Sequence, residues 1–125
     1  MITTTKYNQT TISKKVTLDG VGLHTGKDVT LTFNPSEANT GYVFKRIDLT
    51  DMPLVEADIN YVSNTERGTC LNKNNVIIQT CEHVLASLVG LEIDNVLIEL
   101  NASEPPIMDG SSKFFVEALE KAGIK

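Results

Sequence analysis

Residues 29–33 read Val-Thr-Leu-Thr-Phe, apolar at each odd position and threonine at each even one. Side chains of a strand alternate between its two faces, so this run has one face for a core and one for water. A strand of that kind needs neighbours in a sheet and a second layer over its apolar face. Ile12, Val16 and Leu18 form a looser alternation ahead of it, closed by Asp19-Gly20 in the manner of a turn. Tyr42–Ile47 and Val55–Val62 are further strand-like runs, and Thr69–Leu71 and Val76–Ile78 flank Asn72–Asn75 as the arms of a hairpin.

The period then changes. Thr80 is placed to cap a helix over Cys81–Val89, whose apolar stripe is Val84, Leu85, Leu88 and Val89 and whose C′ residue is Gly90. Val96–Leu100 is an apolar strand, and Pro105-Pro106 keeps Ala102–Pro106 a loop. Asp109, Ser111 and Ser112 are candidate caps for a last helix, Lys113–Ala122, with Phe115, Leu119 and Ala122 on one face and Gly123 at its end. Strands, helix, strand, helix, without regular β-α alternation, predicts an α+β two-layer sandwich: a mostly antiparallel sheet with two helices on one face. The 125 residues suit one domain, with polar residues 1–9 frayed.

Charge narrows the functional classes. Sixteen acidic residues against eleven basic ones, a net charge of −5, argue against nucleic acid as the main partner. The longest apolar stretch, Val84–Leu91, is far short of the roughly 20 residues a membrane span needs. The start, MITTTKYNQTTISKK, lacks the apolar core of a secretory signal, so the expected location is cytoplasmic, with both cysteines free.

Glu82-His83, at the start of the first predicted helix, is the most informative pair. Neighbours on a helix point about 100° apart, so both side chains can border one site. A neutral imidazole is a good zinc ligand, and a carboxylate beside it can take a proton from an attacking water. The same pair also reads as a carboxylate complementing the helix dipole beside a partly exposed histidine. His24 lies in Gly20-Val21-Gly22-Leu23-His24-Thr25-Gly26, whose glycines either admit a ligand close to the backbone or supply positive φ in a connection. Cys70 and Cys81 are small buried hydrophobes or ligands, and Thr65–Thr69 is a polar turn on the residues alone.

Four segments in one order are more specific: the glycine-rich turn 20–26, Thr80-Cys81-Glu82-His83, Gly90–Asn95, and Pro106-Ile107-Met108-Asp109-Gly110-Ser111. Together, from Gln9 to Ile124, they resemble the N-terminal half of the UDP-3-O-acyl-N-acetylglucosamine deacetylase family, zinc hydrolases of lipid A biosynthesis. The resemblance implies a ribosomal protein S5 domain 2-like fold and removal of an acetyl group from UDP-3-O-acyl-N-acetylglucosamine. It also implies a site between two similar domains. By position, His83 matches a Zn2+ ligand and Glu82 the general base that activates water. His24, Thr25, Thr69 and Asp109 fall in motifs near the substrate, and Thr65–Leu71, with Gly68 and Cys70, matches a segment bordering the acyl chain.

The family takes its other zinc ligands from a His-x-x-x-Asp motif of the second domain, and no such motif occurs here. The chain is therefore expected to be the first domain only, inactive alone, with the missing second domain as its partner. An exposed apolar helix layer would drive self-association of the isolated domain. Three alternatives stay open: a non-catalytic binding or assembly domain, a zinc module built from His24, His83 and a thiol, and the start of a deacetylase fused to a 3-hydroxyacyl carrier protein dehydratase.

Overall fold

The computed structural model describes residues 8–66 and 68–125. Among the described residues eight strands and two α-helices follow one another: β1 (Val16–Val21), β2 (Asp28–Pro35), β3 (Tyr42–Arg46), β4 (Leu54–Glu56), β5 (Val62–Thr65), β6 (Gly68–Lys73), β7 (Val76–Ile78), α1 (Glu82–Gly90), β8 (Val96–Leu100) and α2 (Lys113–Ala122). The main sheet has the order β1-β2-β8-β3-β4. All its neighbours are antiparallel except β3 and β8, which run parallel.

The alternation in β2 holds. Val29, Leu31 and Phe33 are buried, and the threonines between them are half-buried. Val96, Ile98 and Leu100 of β8 share that core. Both helices cover the apolar face: Val84 and Leu88 of α1, with Phe115, Leu119 and Ala122 of α2, pack into the same cluster. Phe33 and Phe115 meet edge to face, 6.4 Å between ring centroids. The opposite face is polar, with Thr17 bonded to Thr32 at 3.0 Å and Asn34 to Glu99 at 2.9 Å. This is the expected α+β layering.

A second, three-stranded sheet, β5-β6-β7, was not foreseen. The run expected as one strand over Val55–Val62 is divided into β4 and β5 by a single 3₁₀ turn at Ile59–Tyr61, capped by the Asp58 carboxylate on the Asn60 N–H. Leu71 and Ile78 bind this sheet into the core. Arg46 also ties it to the main sheet, with its fork on Asp48 and its Nη1 donating to the Ile77 carbonyl at 2.9 Å. The hairpin turn is Asn74-Asn75, both at positive φ as a tight two-residue loop requires.

Other boundaries shift for identifiable reasons. Strand β1 runs through Asp19-Gly20 instead of turning there, with Gly20 paired to Val29. Gly90 is the last residue of α1, not its C′ cap. Gly123 does end α2, at φ +80. The start expected to fray falls on residues 1–7, outside the described residues, except for Asn8 and Gln9. The Gln9 side chain is bonded to Asn39 and Asn95. Next to it, Ile12 is fully buried and bridges Ile124, flanked by backbone bonds from Thr11 to Lys125 and from Ser13 to Gly123.

Phe115→Ala is expected to lower unfolding stability by about 3–5 kcal/mol, because a fully enclosed ring leaves a cavity. Glu117→Ala, on the exposed side of the same helix, should stay within about 0.5 kcal/mol. Urea denaturation curves of the two variants check the helix orientation.

Candidate functional site

The start of α1 is built by the backbone of Thr69 on β6. Its N–H donates to Glu82 Oε1 at 3.1 Å. Its carbonyl accepts the Cys81 N–H at 3.0 Å and the Cys81 thiol at 3.3 Å. Glu82 also stands in the first helical turn, where the exposed N–H groups of the helix favour an anion. Among the described residues, its second oxygen and the half-buried His83 imidazole make no hydrogen bond. An anchored carboxylate therefore stands next to an unengaged imidazole, a pair of donors suited to a divalent metal and a water.

Gly68 makes this possible. It lies at φ +89, and a Cβ on it would come within 2.6 Å of Glu82 Oε2. Gly68 and Thr69, part of a bland polar turn by sequence alone, thus hold the candidate base. Thr69 acts through its backbone, while its hydroxyl donates to Asn64 at 3.3 Å.

His24 and Thr25 arrive from the β1–β2 turn, closed by Gly22 and Lys27 and by Gly26 at φ +66. Their N–H groups converge on Glu104 Oε1 at 2.9 and 3.1 Å. Glu104 is fully buried, and its Oε2 accepts the Thr80 hydroxyl at 2.7 Å. Burial pushes this carboxyl up, but the bonds from Thr80, Thr25 and His24, with the His24 charge, outweigh it and hold the group below the usual value of 4.5. The glycines work by close approach. A Cβ on Gly22 would meet Glu104 Oε1 at 2.5 Å, and one on Gly20 would meet Pro106 at 2.8 Å.

Thr80 is not the helix cap. Cys81 occupies that position without a side-chain cap bond, while Thr80, at φ +52, turns its hydroxyl to Glu104. Ser112 likewise takes the cap position of α2 without a side-chain bond, and the Ser111 hydroxyl accepts the Lys113 N–H at 3.2 Å instead. Asp109 is exposed, and its carboxylate accepts the Ser111 hydroxyl at 2.7 Å and the Ser111 N–H at 3.0 Å, bonds that hold its pKa below the usual range. It has no hydrogen bond to Glu82 or His83.

Cys70 and Cys81 are both buried, and neither is in a disulfide. Burial, then the neighbouring Cys70 and Glu82, push the Cys81 thiol up to about 12, so it stays protonated and donates to Thr69. Among the described residues, no three His, Cys, Asp or Glu side chains cluster as a ligand set. Glu104 was missed because a glutamate before Pro105-Pro106 carries no local sign of burial; the glycine-rich turn, whose Gly22 leaves room for its carboxylate, was the available signal.

Residues 9–125 match the family model of the UDP-3-O-acyl N-acetylglycosamine deacetylases (LpxC). A bifunctional LpxC/FabZ enzyme of Chlorobaculum tepidum is 50% identical over 117 residues, covering 94% of this chain and 25% of that protein. UDP-3-O-acyl-N-acetylglucosamine deacetylases of Geobacter sp. and Idiomarina loihiensis are 45% and 47% identical, over 94% of this chain and 38% and 39% of their own lengths. The chain thus spans between a quarter and two-fifths of these relatives.

Two outcomes check the geometry. Gly68→Ala should destabilise the fold by clearly more than Gly110→Ala. Both residues lie at positive φ, but only at Gly68 does a Cβ strike another group, the Glu82 carboxylate. Comparing their urea midpoints isolates that clash. For Glu104, the folded pKa lies below the unfolded one. Its stabilisation is therefore full above the unfolded value and is lost as pH falls through the folded value. Stability should drop more steeply below about pH 5 in the unaltered protein than in Glu104→Gln, as read from urea midpoints across pH.

Proposed function

Because the chain belongs to the UDP-3-O-acyl N-acetylglycosamine deacetylase family, we propose that it supplies the general base, Glu82, and one metal ligand, His83, to a zinc-dependent amidohydrolase. The substrate class is UDP-3-O-acyl-N-acetylglucosamine, and the reaction a deacetylation in lipid A biosynthesis in the cytoplasm. The observation that carries this reading is the anchored Glu82 carboxylate beside a His83 imidazole that has no hydrogen bond among the described residues.

The donor set fits zinc in kind and is short in number. A catalytic zinc takes three protein ligands and an open position. His83 offers one nitrogen, and the described residues cluster no complete set. The remaining ligands are assigned to a second domain outside these 125 residues. When bound, zinc supplies Lewis-acid stabilisation of the charge that develops on the acetamide oxygen.

The chain's own residues do the rest. The Thr69 N–H holds Glu82 by one oxygen and leaves the other to accept a proton from the attacking water. The water oxygen joins the acetyl carbon, the C–N bond breaks, and the amine departs with a proton. His24, Thr25, Thr69 and Asp109 are assigned to the substrate side. The first two lie on the turn seated on Glu104, and Thr69 borders Glu82. Exposed Leu23, Val89 and Phe114 give the second domain apolar surface to cover, and the isolated domain a reason to self-associate. No helix among the described residues is long and apolar enough to cross a membrane.

The bifunctional relatives support a second reading of the whole protein. In it, the deacetylase is joined to a 3-hydroxyacyl carrier protein dehydratase, with the same role for these residues.

In the complete protein, Glu82→Gln should keep its zinc and lose roughly 10²–10⁴-fold in kcat. His83→Ala should lose zinc and turnover together. Metal analysis beside deacetylase kinetics tests this; a Glu82→Gln protein at full rate would sink the assignment. Neither metal retention nor turnover should depend on Glu82 or His83 if the domain serves only binding or assembly.

A further inference from the structure

We propose that Glu104 is a positioning residue for Glu82 and His83, a buried carboxylate that sets the backbone from which α1 departs and seats the His24–Thr25 turn against it. The proposal rests on the reading of Glu82 and His83 given above.

Two segments far apart in sequence meet on this one side chain. Oε1 accepts the backbone N–H groups of His24 and Thr25, at 2.9 and 3.1 Å, and Oε2 accepts the Thr80 hydroxyl at 2.7 Å. Glu104 itself comes from the β8–α2 loop and is fully buried. A charged carboxylate is kept in an interior only where donors surround it. Here the acceptor-only group faces three donors, and Gly22 has given up its side chain to let the carboxylate approach.

The consequence reaches the site through Thr80. A β-branched residue avoids positive φ, yet Thr80 lies at +52 two residues before Glu82. Such backbone persists where surrounding structure imposes it. The Glu104 bond to the hydroxyl is one such restraint, and the Gln79 N–H on the Ser103 carbonyl, at 2.7 Å, is a second to the same loop. Cys81, between Thr80 and Glu82, has no side-chain cap to hold the helix start on its own. The direction in which the helix presents Glu82 and His83 therefore depends on the left-handed Thr80 corner together with the Thr69 backbone that holds Cys81 and Glu82.

The test uses the complete protein and four forms of it: unaltered, Glu104→Ala, Glu104→Gln, and Glu104→Ala with Thr80→Gly. Glycine adopts positive φ without restraint, so the double variant restores the corner without the carboxylate. At a temperature where all are folded, Glu104→Ala should lower kcat by about 10- to 100-fold with KM little changed, as misplacement of a reacting group does. Glu104→Gln, which keeps an acceptor for the two N–H groups, should lose less. The double variant should regain at least tenfold of a hundredfold loss.

Hydrogen exchange supplies a readout independent of turnover. Glu104→Ala should speed exchange in residues 22–27 and 79–85, and the added Thr80→Gly should restore protection only in 79–85. Unchanged kcat in folded Glu104→Ala, or a double variant that recovers neither rate nor protection, would overturn the proposal. Should Glu104→Ala fail to fold, Thr80→Val deletes the hydroxyl alone; lowered kcat there supports the proposal and unchanged kcat refutes it. If the unaltered protein lacks deacetylase turnover, the assigned function fails, and the segment-specific exchange pattern alone decides whether Glu104 holds the corner.

Discussion

Strand β8 is the element on which the rest of the molecule depends. It is bonded along one edge to β2 and along the other to β3, and it alone joins the antiparallel and parallel parts of the main sheet. With both edges taken, its alternating Val96, Ile98 and Leu100 can satisfy themselves only against a layer above the sheet, and both helices settle there. Its register also fixes where the chain leaves. Beyond Leu100 the loop carries Glu104 into the interior between the β1–β2 turn and the start of α1. The sheet centre thereby determines the spacing of the candidate site.

Where local pattern and tertiary demand agree, the fold is legible in the residues. Val96–Leu100 and Lys113–Ala122 have the bounds expected of them, since an apolar run and an amphipathic period ended by Gly123 leave little choice. Disagreement arises where a distant contact decides. Gly20 looks like a turn residue, but its missing side chain admits Pro106, so the strand continues through it. Thr80 looks like a cap, but its hydroxyl is claimed by a carboxylate 24 residues away. The second sheet escaped notice because the run from Val55 reads as one continuous strand until the Asp58 carboxylate ends it with a turn.

The site divides in the same way. Glu82 and His83 stand out as a pair on residue type alone, and they occupy the helix start expected of them. What holds Glu82 was not visible, because the donor is a backbone N–H of Thr69 and carries no residue signature. Cys81 is instructive in the opposite sense. Adjacent to two polar functional candidates, it has the chemistry of a ligand by name, yet it is buried and its thiol donates to the Thr69 carbonyl at the helix start.

The bridge between Ile12 and Ile124 governs how a mechanical load would enter the domain. The two segments run antiparallel, so Thr10 and Thr11 lie on the same side of the bridge as Lys125. A pull between Thr10 and Lys125 would part the Thr11–Lys125 bonds first and the Ser13–Gly123 bond after them, one rung at a time, with no sharing of force. Displacement of Thr10 and Thr11 would then be felt at Asp94 and Asn95, to which they are bonded at 2.8 and 2.6 Å. Tension at this corner would thus act on the connection between α1 and β8 before it reached the interior of the sheet.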